Sequence, residues 1–398
     1  MTRPALAAIT GAGVLSPLGD SIIGLGAALR KGKSNVAPDS DFGGAQVSRL
    51  RDFDPARYAK VRGMRVYARA TQLEICAAQL ALNDAGYAEG AIDPLRLGLV
   101  TASSFSHLET LIEYDRGLAS VGMQRTNPTL MPLGLPSAPG AATALAFSAK
   151  AFSITLNDGG ASGLAALGLG ARAIAEGRAQ ICLVAGASTL VRELIQSADQ
   201  ANLLCGSEPF RVLDQRSRGS AFGELAAALV LEPYESAHAR GRCPIGFVRA
   251  QGAAFAPDPS AFSQALTRAC RDSMARAGLS PDSIALALAG AGGIAASDRE
   301  HARALIDALG AAGPRICVGA PKGNLGETLD PSGLLQCIAA LHSLSERVAA
   351  PIAGLEHPVL PGLRYATGET ELPEGAALLT AVSSTGSCTS LIVSASSP

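Results

Sequence analysis

Short apolar runs without alternation recur along this chain, separated by longer stretches in which apolar positions return every three or four residues. Leu6–Ile9 is the first such run; it leads into a glycine-rich turn, Thr10-Gly-Ala-Gly-Val-Leu-Ser-Pro-Leu-Gly19, and a helix over Ser21–Arg30. Helical spacing over Val66–Ala85 stops at Asp84-Ala-Gly86. Leu97–Thr101 and Phe152–Leu156 read as buried strands, and Asn157-Asp-Gly-Gly160 turns the chain into a helix from Ala161 to Glu176. Strands at Ile181–Gly186 and Ala226–Leu231 follow. The remainder repeats the rhythm. It predicts strand Ile245–Ala250, helix Ser260–Ala277, strand Ile284–Ala289, helix Asp298–Leu309, strand Ile316–Val318 and helix Ser332–Leu344, with closing strands at Ala376–Val382 and Leu391–Val393.

Continuous apolar strands alternating with helices indicate α/β architecture with parallel-rich sheets covered on both faces. Similar halves meeting near Tyr234–Gly246 suggest an internal duplication, with one half over residues 1–240 and the other over 241–398. Composition sharpens this picture. The chain has 398 residues, long enough for two core-bearing halves. It is 48% hydrophobic but only 4% aromatic, so Ala, Val, Leu and Ile must build the core, and 44 glycines suit close helix-on-sheet packing. A net charge of -1 provides no field for nucleic acid or an anionic membrane. Tracts such as Ser297-Asp-Arg-Glu-His-Ala-Arg303 mix signs and read as solvated helix faces. The eight cysteines are scattered, with Cys76, Cys182, Cys317 and Cys337 inside apolar runs, which fits free thiols in a reducing cytoplasm. Arg3 followed by Ala5–Ile9 faintly imitates a signal peptide, but Thr10-Gly-Ala-Gly13 interrupts the apolar stretch too early. No run is long enough to span a bilayer, so a soluble protein is expected.

Three segments could carry chemistry. Thr155-Leu-Asn-Asp-Gly-Gly-Ala-Ser-Gly163 is a strand end, a tight turn and a helix start, a place where unsatisfied N–H groups stabilise an oxyanion beside a nucleophile. Its apex is Gly160, which has no side chain to attack with; alone, the segment reads first as a turn whose glycines permit the backbone path. Pro321-Lys-Gly-Asn-Leu-Gly-Glu327 places a lysine and a glutamate on one loop, as a charge pair, a general acid or an ordinary helix start. Ala289-Gly-Ala-Gly-Gly293 follows a buried strand but lacks dinucleotide-binding spacing. His107, His238, His301, His342 and His357 show no ligand spacing, so no metal is expected. Ser104, Ser162 and Asp158 are conceivable nucleophiles or bases, yet such residues at helix starts usually cap.

Taken in order, these segments resemble the β-ketoacyl synthase family over nearly the whole chain. Ile9-Thr-Gly-Ala-Gly-Val-Leu-Ser-Pro-Leu-Gly19 is similar to its first strand and turn, and Gly160-Ala-Ser-Gly163 to its Cys-Ala-Ser-Gly elbow. Further landmarks are Glu176-Gly-Arg178 and Ile181–Ala187, then Pro209-Phe210, Gly223-Glu224 and Leu229–Glu232. Ala289-Gly290 through Asp298 takes the place of the His-Gly-Thr loop, and Lys322–Glu327 with Gly333 that of Lys-x-x-x-Gly-His and a later glycine. The resemblance implies a thiolase fold of two similar α/β halves in five layers, αβαβα. It assigns the acylated cysteine to Gly160, the first histidine to Gly290 and the second to Glu327, and retains the lysine as Lys322. Ser383-Ser-Thr-Gly-Ser387 replaces the C-terminal Gly-Phe-Gly-Gly gate. Condensation needs a thiolate to carry the acyl chain and imidazoles to stabilise an enolate. A glutamate opposes that developing charge.

A ketosynthase-like chain without its nucleophile resembles the chain-length factor of a type II polyketide or polyene synthase. That resemblance implies a non-catalytic subunit, without cofactor, in a heterodimer with a catalytic ketosynthase. It also implies an acyl carrier protein bearing acyl or malonyl phosphopantetheine as a partner. By position, Ser103–Met131 would line the tunnel, with Phe105, Leu108, Leu111, Ile112, Tyr114 and Met131 as gates; plain interface or core packing is the other reading. Two rivals stand beside it. One is an enzyme reusing the fold for acyl transfer or hydrolysis through Glu327, Lys322 or Asp158. The other is a homodimeric acyl-binding pseudoenzyme.

Overall fold

The computed structural model describes residues 6–88 and 90–395; the Arg3–Ala5 part of the signal-like segment lies outside them. Eleven strands form one sheet: β1 (Ala7–Leu15), β2 (Leu97–Ala102), β3 (Phe152–Leu156), β4 (Ile181–Ser188), β5 (Leu225–Glu232), β6 (Gly246–Phe255), β7 (Ile284–Leu288), β8 (Cys317–Gly319), β9 (Arg364–Tyr365), β10 (Ala376–Val382) and β11 (Ser387–Ser394). Their spatial order is β9-β8-β7-β10-β11-β6-β1-β5-β4-β2-β3. The first and second sets of strands follow the same path. In each, the first strand pairs antiparallel with the last, the last antiparallel with its predecessor, and the remaining neighbours parallel. The sets join where β1 meets β6 through Ala7↔Val248, Ala8↔Phe247 and Ile9↔Gly246.

Every residue of β1, β2, β4 and β5 is buried, as strands covered on both faces require. The Ser162–Ala175 and Ser332–Glu346 helices pack on each other between the two parts of the sheet. Outside lie the Arg69–Asp84 and Ala138–Phe147 helices on one side and the Phe262–Ala277 and Ala295–Leu309 helices on the other. This is the five-layer thiolase arrangement. The central helices touch through glycines: a Cβ on Gly163 would lie 2.8 Å from the Gly333 nitrogen, and one on Gly333 only 2.2 Å from the Leu164 nitrogen.

One expectation needs correction. Thr10–Gly13 is no turn; β1 runs through it to Leu15, with a register shift between Ile9 and Gly11. The glycines serve packing instead. A Cβ on Gly11 would lie 2.3 Å from the Ala81 carbonyl oxygen and one on Gly13 2.1 Å from that of Ala77, so only glycine lets the Arg69–Asp84 helix settle on this strand.

Candidate functional site

The three chemistry-bearing segments converge at one cavity of about 490 Å³. At its floor β3 ends, Gly159 adopts a left-handed φ of +49°, and a short 3₁₀ turn over Gly159–Ala161 leads into the buried Ser162–Ala175 helix. Two hydroxyls hold the turn: Ser104 Oγ accepts from the Gly159 N–H at 2.8 Å, and Ser162 Oγ from the Asp158 N–H at 2.8 Å. Behind them, buried Asp330 accepts from the Phe105 N–H at 3.0 Å and from Ser106 Oγ at 3.3 Å. Gly160 itself lies outside the left-handed region, so its backbone does not demand glycine. A Cβ there would sit 3.3 Å from the Val382 carbonyl oxygen and 3.9 Å from Lys322 Nζ, facing the cavity's charged group.

Gly290 differs. A Cβ on it would fall 2.6 Å from the Thr380 carbonyl oxygen and 3.1 Å from the Ala381 Cα, so the backbone has closed on the space a side chain would use. Lys322 and Glu327 form an ion pair of 2.7 Å, with the lysine side chain 4% and the glutamate 19% exposed. Lys322 also donates to the Gly290 carbonyl oxygen at 3.1 Å. The other oxygen of Glu327 accepts from the Leu329 N–H at 2.8 Å and from Ser332 Oγ at 3.2 Å. Leu329 is held at φ +50°, an uncommon conformation for a leucine, and lines the cavity. The pair is thus held by the Gly290 carbonyl on one side and by the Leu329 N–H and the Ser332 hydroxyl on the other.

Sequence reasoning passed over two residues here, one in the wall and one behind it. Asp298 is fully buried and accepts from the N–H groups of Leu213, Gly292 and Gly293 at 2.7, 3.0 and 3.1 Å, fixing the glycine loop. Burial pushes its pKa up to about 6 against the pull of those donors. His301, one helical turn on, lines the cavity with its Cε1 3.3 Å from where a Gly290 side chain would begin. Burial, assisted by the Lys322 charge, lowers its pKa to about 3, so the ring is neutral. Asp298 and His301 share a helix face three residues apart, and that spacing was the one signal available in the sequence.

Among the proposed gates, Phe105 lines this cavity. Leu108, Leu111, Ile112 and Tyr114 are half-buried on the Leu108–Val121 helix, and Met131 is 52% exposed on the short helix Leu130–Leu133. Asp158 bonds Thr385 Oγ1 at 3.1 Å, tying the turn to the Ser383–Ser387 loop. Among the described residues, no cysteine lines the cavity; seven of the eight cysteines are buried elsewhere and Cys243 is exposed.

The family model described as beta-ketoacyl synthase, N-terminal domain, matches residues 7–237, and that of the C-terminal domain matches 246–356. The chain belongs to the β-ketoacyl synthase family. Its curated relatives include a putative polyketide beta-ketoacyl synthase 1 of Streptomyces halstedii, 28% identical over 372 residues and 88% of each chain. Another is the actinorhodin polyketide putative beta-ketoacyl synthase 2 of Streptomyces coelicolor, 27% identical over 364 residues, covering 87% of this chain and 88% of that one. Among solved structures, the ishigamide ketosynthase/chain length factor superposes with a TM-score of 0.89 over 99% of both chains; at 23% identity that likeness establishes the thiolase fold. No helix among the described residues is long and apolar enough to cross a membrane.

Proposed function

We propose that this chain is a non-catalytic chain-length-factor subunit that pairs with a catalytic ketosynthase and shapes the tunnel in which a polyketide or polyene grows. The observation that carries the reading is Gly160: the ketosynthase elbow, its hydroxyl supports and its helix start are all built, yet the apex has no atom to acylate. The Lys322–Glu327 pair supports it too, since a carboxylate fixed at that place disfavours an enolate.

The surface supports a partner. β3 closes the sheet order on its side and leaves a strand edge without a neighbour among the described residues. The helix over Ala138–Phe147 packs on β3, and the Leu130–Leu133 turn links it to the Leu108–Val121 helix. These linked segments expose Val121, Met123, Met131, Leu135 and Leu145 at 44–82%, large apolar side chains of the kind obligate interfaces cover. On this reading Leu108, Leu111, Ile112 and Tyr114 face the partner, where bulk limits chain length by overlap. The acyl carrier protein delivers substrate to the pair, and the thiol that holds it is the partner's.

Co-expression with a ketosynthase from the same gene neighbourhood tests this directly. A stable heterodimer is expected, and Phe105→Ala or Ile112→Ala should lengthen the product without lowering partner acylation. A chain that purifies alone as an active condensing enzyme would overturn the reading.

A further inference from the structure

We propose that Asp330 is a positioning residue for Phe105 and thereby a determinant of product length, supplied by the turn that follows Glu327. The inference rests on the chain-length-factor reading and names the residue that holds one of its walls in place.

Three observations point to it. Asp330 is fully buried, and a carboxylate in the core is costly unless its hydrogen bonds offset the lost water. Those bonds reach one distant segment. A single carboxylate oxygen accepts from the Phe105 N–H at 3.0 Å and from Ser106 Oγ at 3.3 Å, and that hydroxyl is shared with the Ala187 carbonyl oxygen at 2.7 Å. Second, Phe105 lies in the link between β2 and the Leu108–Val121 helix, which starts without a side-chain cap. The link is tied before Phe105 by the Ser103 N–H on the Leu156 carbonyl oxygen, and after it by the Leu108 N–H on the Phe105 carbonyl oxygen. The bond to Asp330 fixes the amide between these ties. Third, the turn that carries Asp330 is itself immobile. The Leu329 N–H is held by Glu327 at 2.8 Å, Pro331 restricts the backbone of Asp330, and a Cβ on Gly163 would lie 2.8 Å from the Asp330 carbonyl oxygen. Leu329 and Phe105 both line the cavity, so adjacent residues of one rigid turn set two of its walls.

Product analysis of the chain co-expressed with its ketosynthase partner tests this. Asp330→Ala removes the acceptor, and the ratio of longer to wild-type-length product should rise about fivefold, the worth of one buried hydrogen bond. Amide hydrogen exchange at Phe105 should quicken by about the same factor. Asp330→Asn keeps an acceptor oxygen for the Phe105 N–H and should return the ratio to near wild type. In a Phe105→Ala background Asp330→Ala should add nothing, because the side chain it positions is gone; a merely structural role would add in full. Should Asp330→Ala fail to assemble, Asp330→Ser, whose hydroxyl is too short to reach the Phe105 N–H, takes its place in the same comparisons. The proposal is overturned if the ratio stays level or falls, if Asp330→Asn shifts it as far as Asp330→Ala, or if the shift persists in Phe105→Ala. Failure of the wild-type chain to form a heterodimer would instead defeat the reading beneath; a heterodimer whose product length ignores Asp330 defeats this proposal alone.

Discussion

Replacing Glu327 by glutamine keeps the side chain's shape but strips the charge facing Lys322. The lysine is 4% exposed and bonds Glu327 and the Gly290 carbonyl oxygen; the variant's single amide oxygen can serve either the ammonium or the Leu329 N–H, so an almost buried ammonium keeps neutral acceptors alone. Breaking a buried pair from one side costs about 3–5 kcal/mol, because desolvation of the surviving charge is no longer offset. Lys322→Met should cost less, about 2–3 kcal/mol, since Glu327 keeps the Leu329 N–H, the Ser332 hydroxyl and 19% exposure. The double variant removes both charges and should come within about 2 kcal/mol of wild type. Denaturant unfolding at neutral pH, followed by circular dichroism, measures all three, and the double-mutant cycle isolates the coupling. Additive losses, or a loss below about 1 kcal/mol for Glu327→Gln, would refute the view that the two charges are held in the pocket by each other.

Other consequences are open to test. Glu74 is fully buried; its Oε1 accepts from Thr143 at 2.8 Å and from Thr101 at 3.4 Å, while Oε2 has no partner. Burial raises its pKa from 4.5 to about 7. The unfolded chain ionises this group first, so its contribution to stability is full below about pH 4.5 and is lost as the pH rises to 7. Glu74→Gln should therefore gain about 3 kcal/mol relative to wild type between pH 5 and 8; a constant difference across that range would contradict the assignment. Gly160→Cys should fold and be alkylated by iodoacetamide, because the Val382 oxygen at 3.3 Å needs to yield only slightly. Gly290→His should cost about 1–3 kcal/mol against the Thr380 carbonyl. The triple change Gly160→Cys, Gly290→His, Glu327→His should then fail to decarboxylate malonyl thioester, and restored turnover would show that the loop can still accept the imidazole.

Much of this architecture was legible because strands buried on both faces leave uninterrupted apolar runs. Phe152–Leu156 and Ala376–Val382 have the expected ends, and the Ser162–Ala175 and Ser332–Glu346 helices differ by a residue or two. The landmarks of the site survived as a series because each is tied to a strand end. What pattern reading missed was set by tertiary contact. Thr10–Gly13 looks like a turn until the helix that presses on Gly11 and Gly13 is known. The Arg192–Gln200 helix went unread because only Ile195 and Ala198 bury a face. His301 carried no motif; its meaning arises from a glycine loop folding back until its ring stands beside Gly290.

Intact-mass analysis of the co-purified pair after incubation with acyl carrier substrate tests the central claim most directly. The acyl mass should appear on the ketosynthase partner alone, with this chain unmodified because Gly160 offers no atom to receive it. An acyl adduct on this chain, mapped to any side chain lining the cavity, would contradict the account.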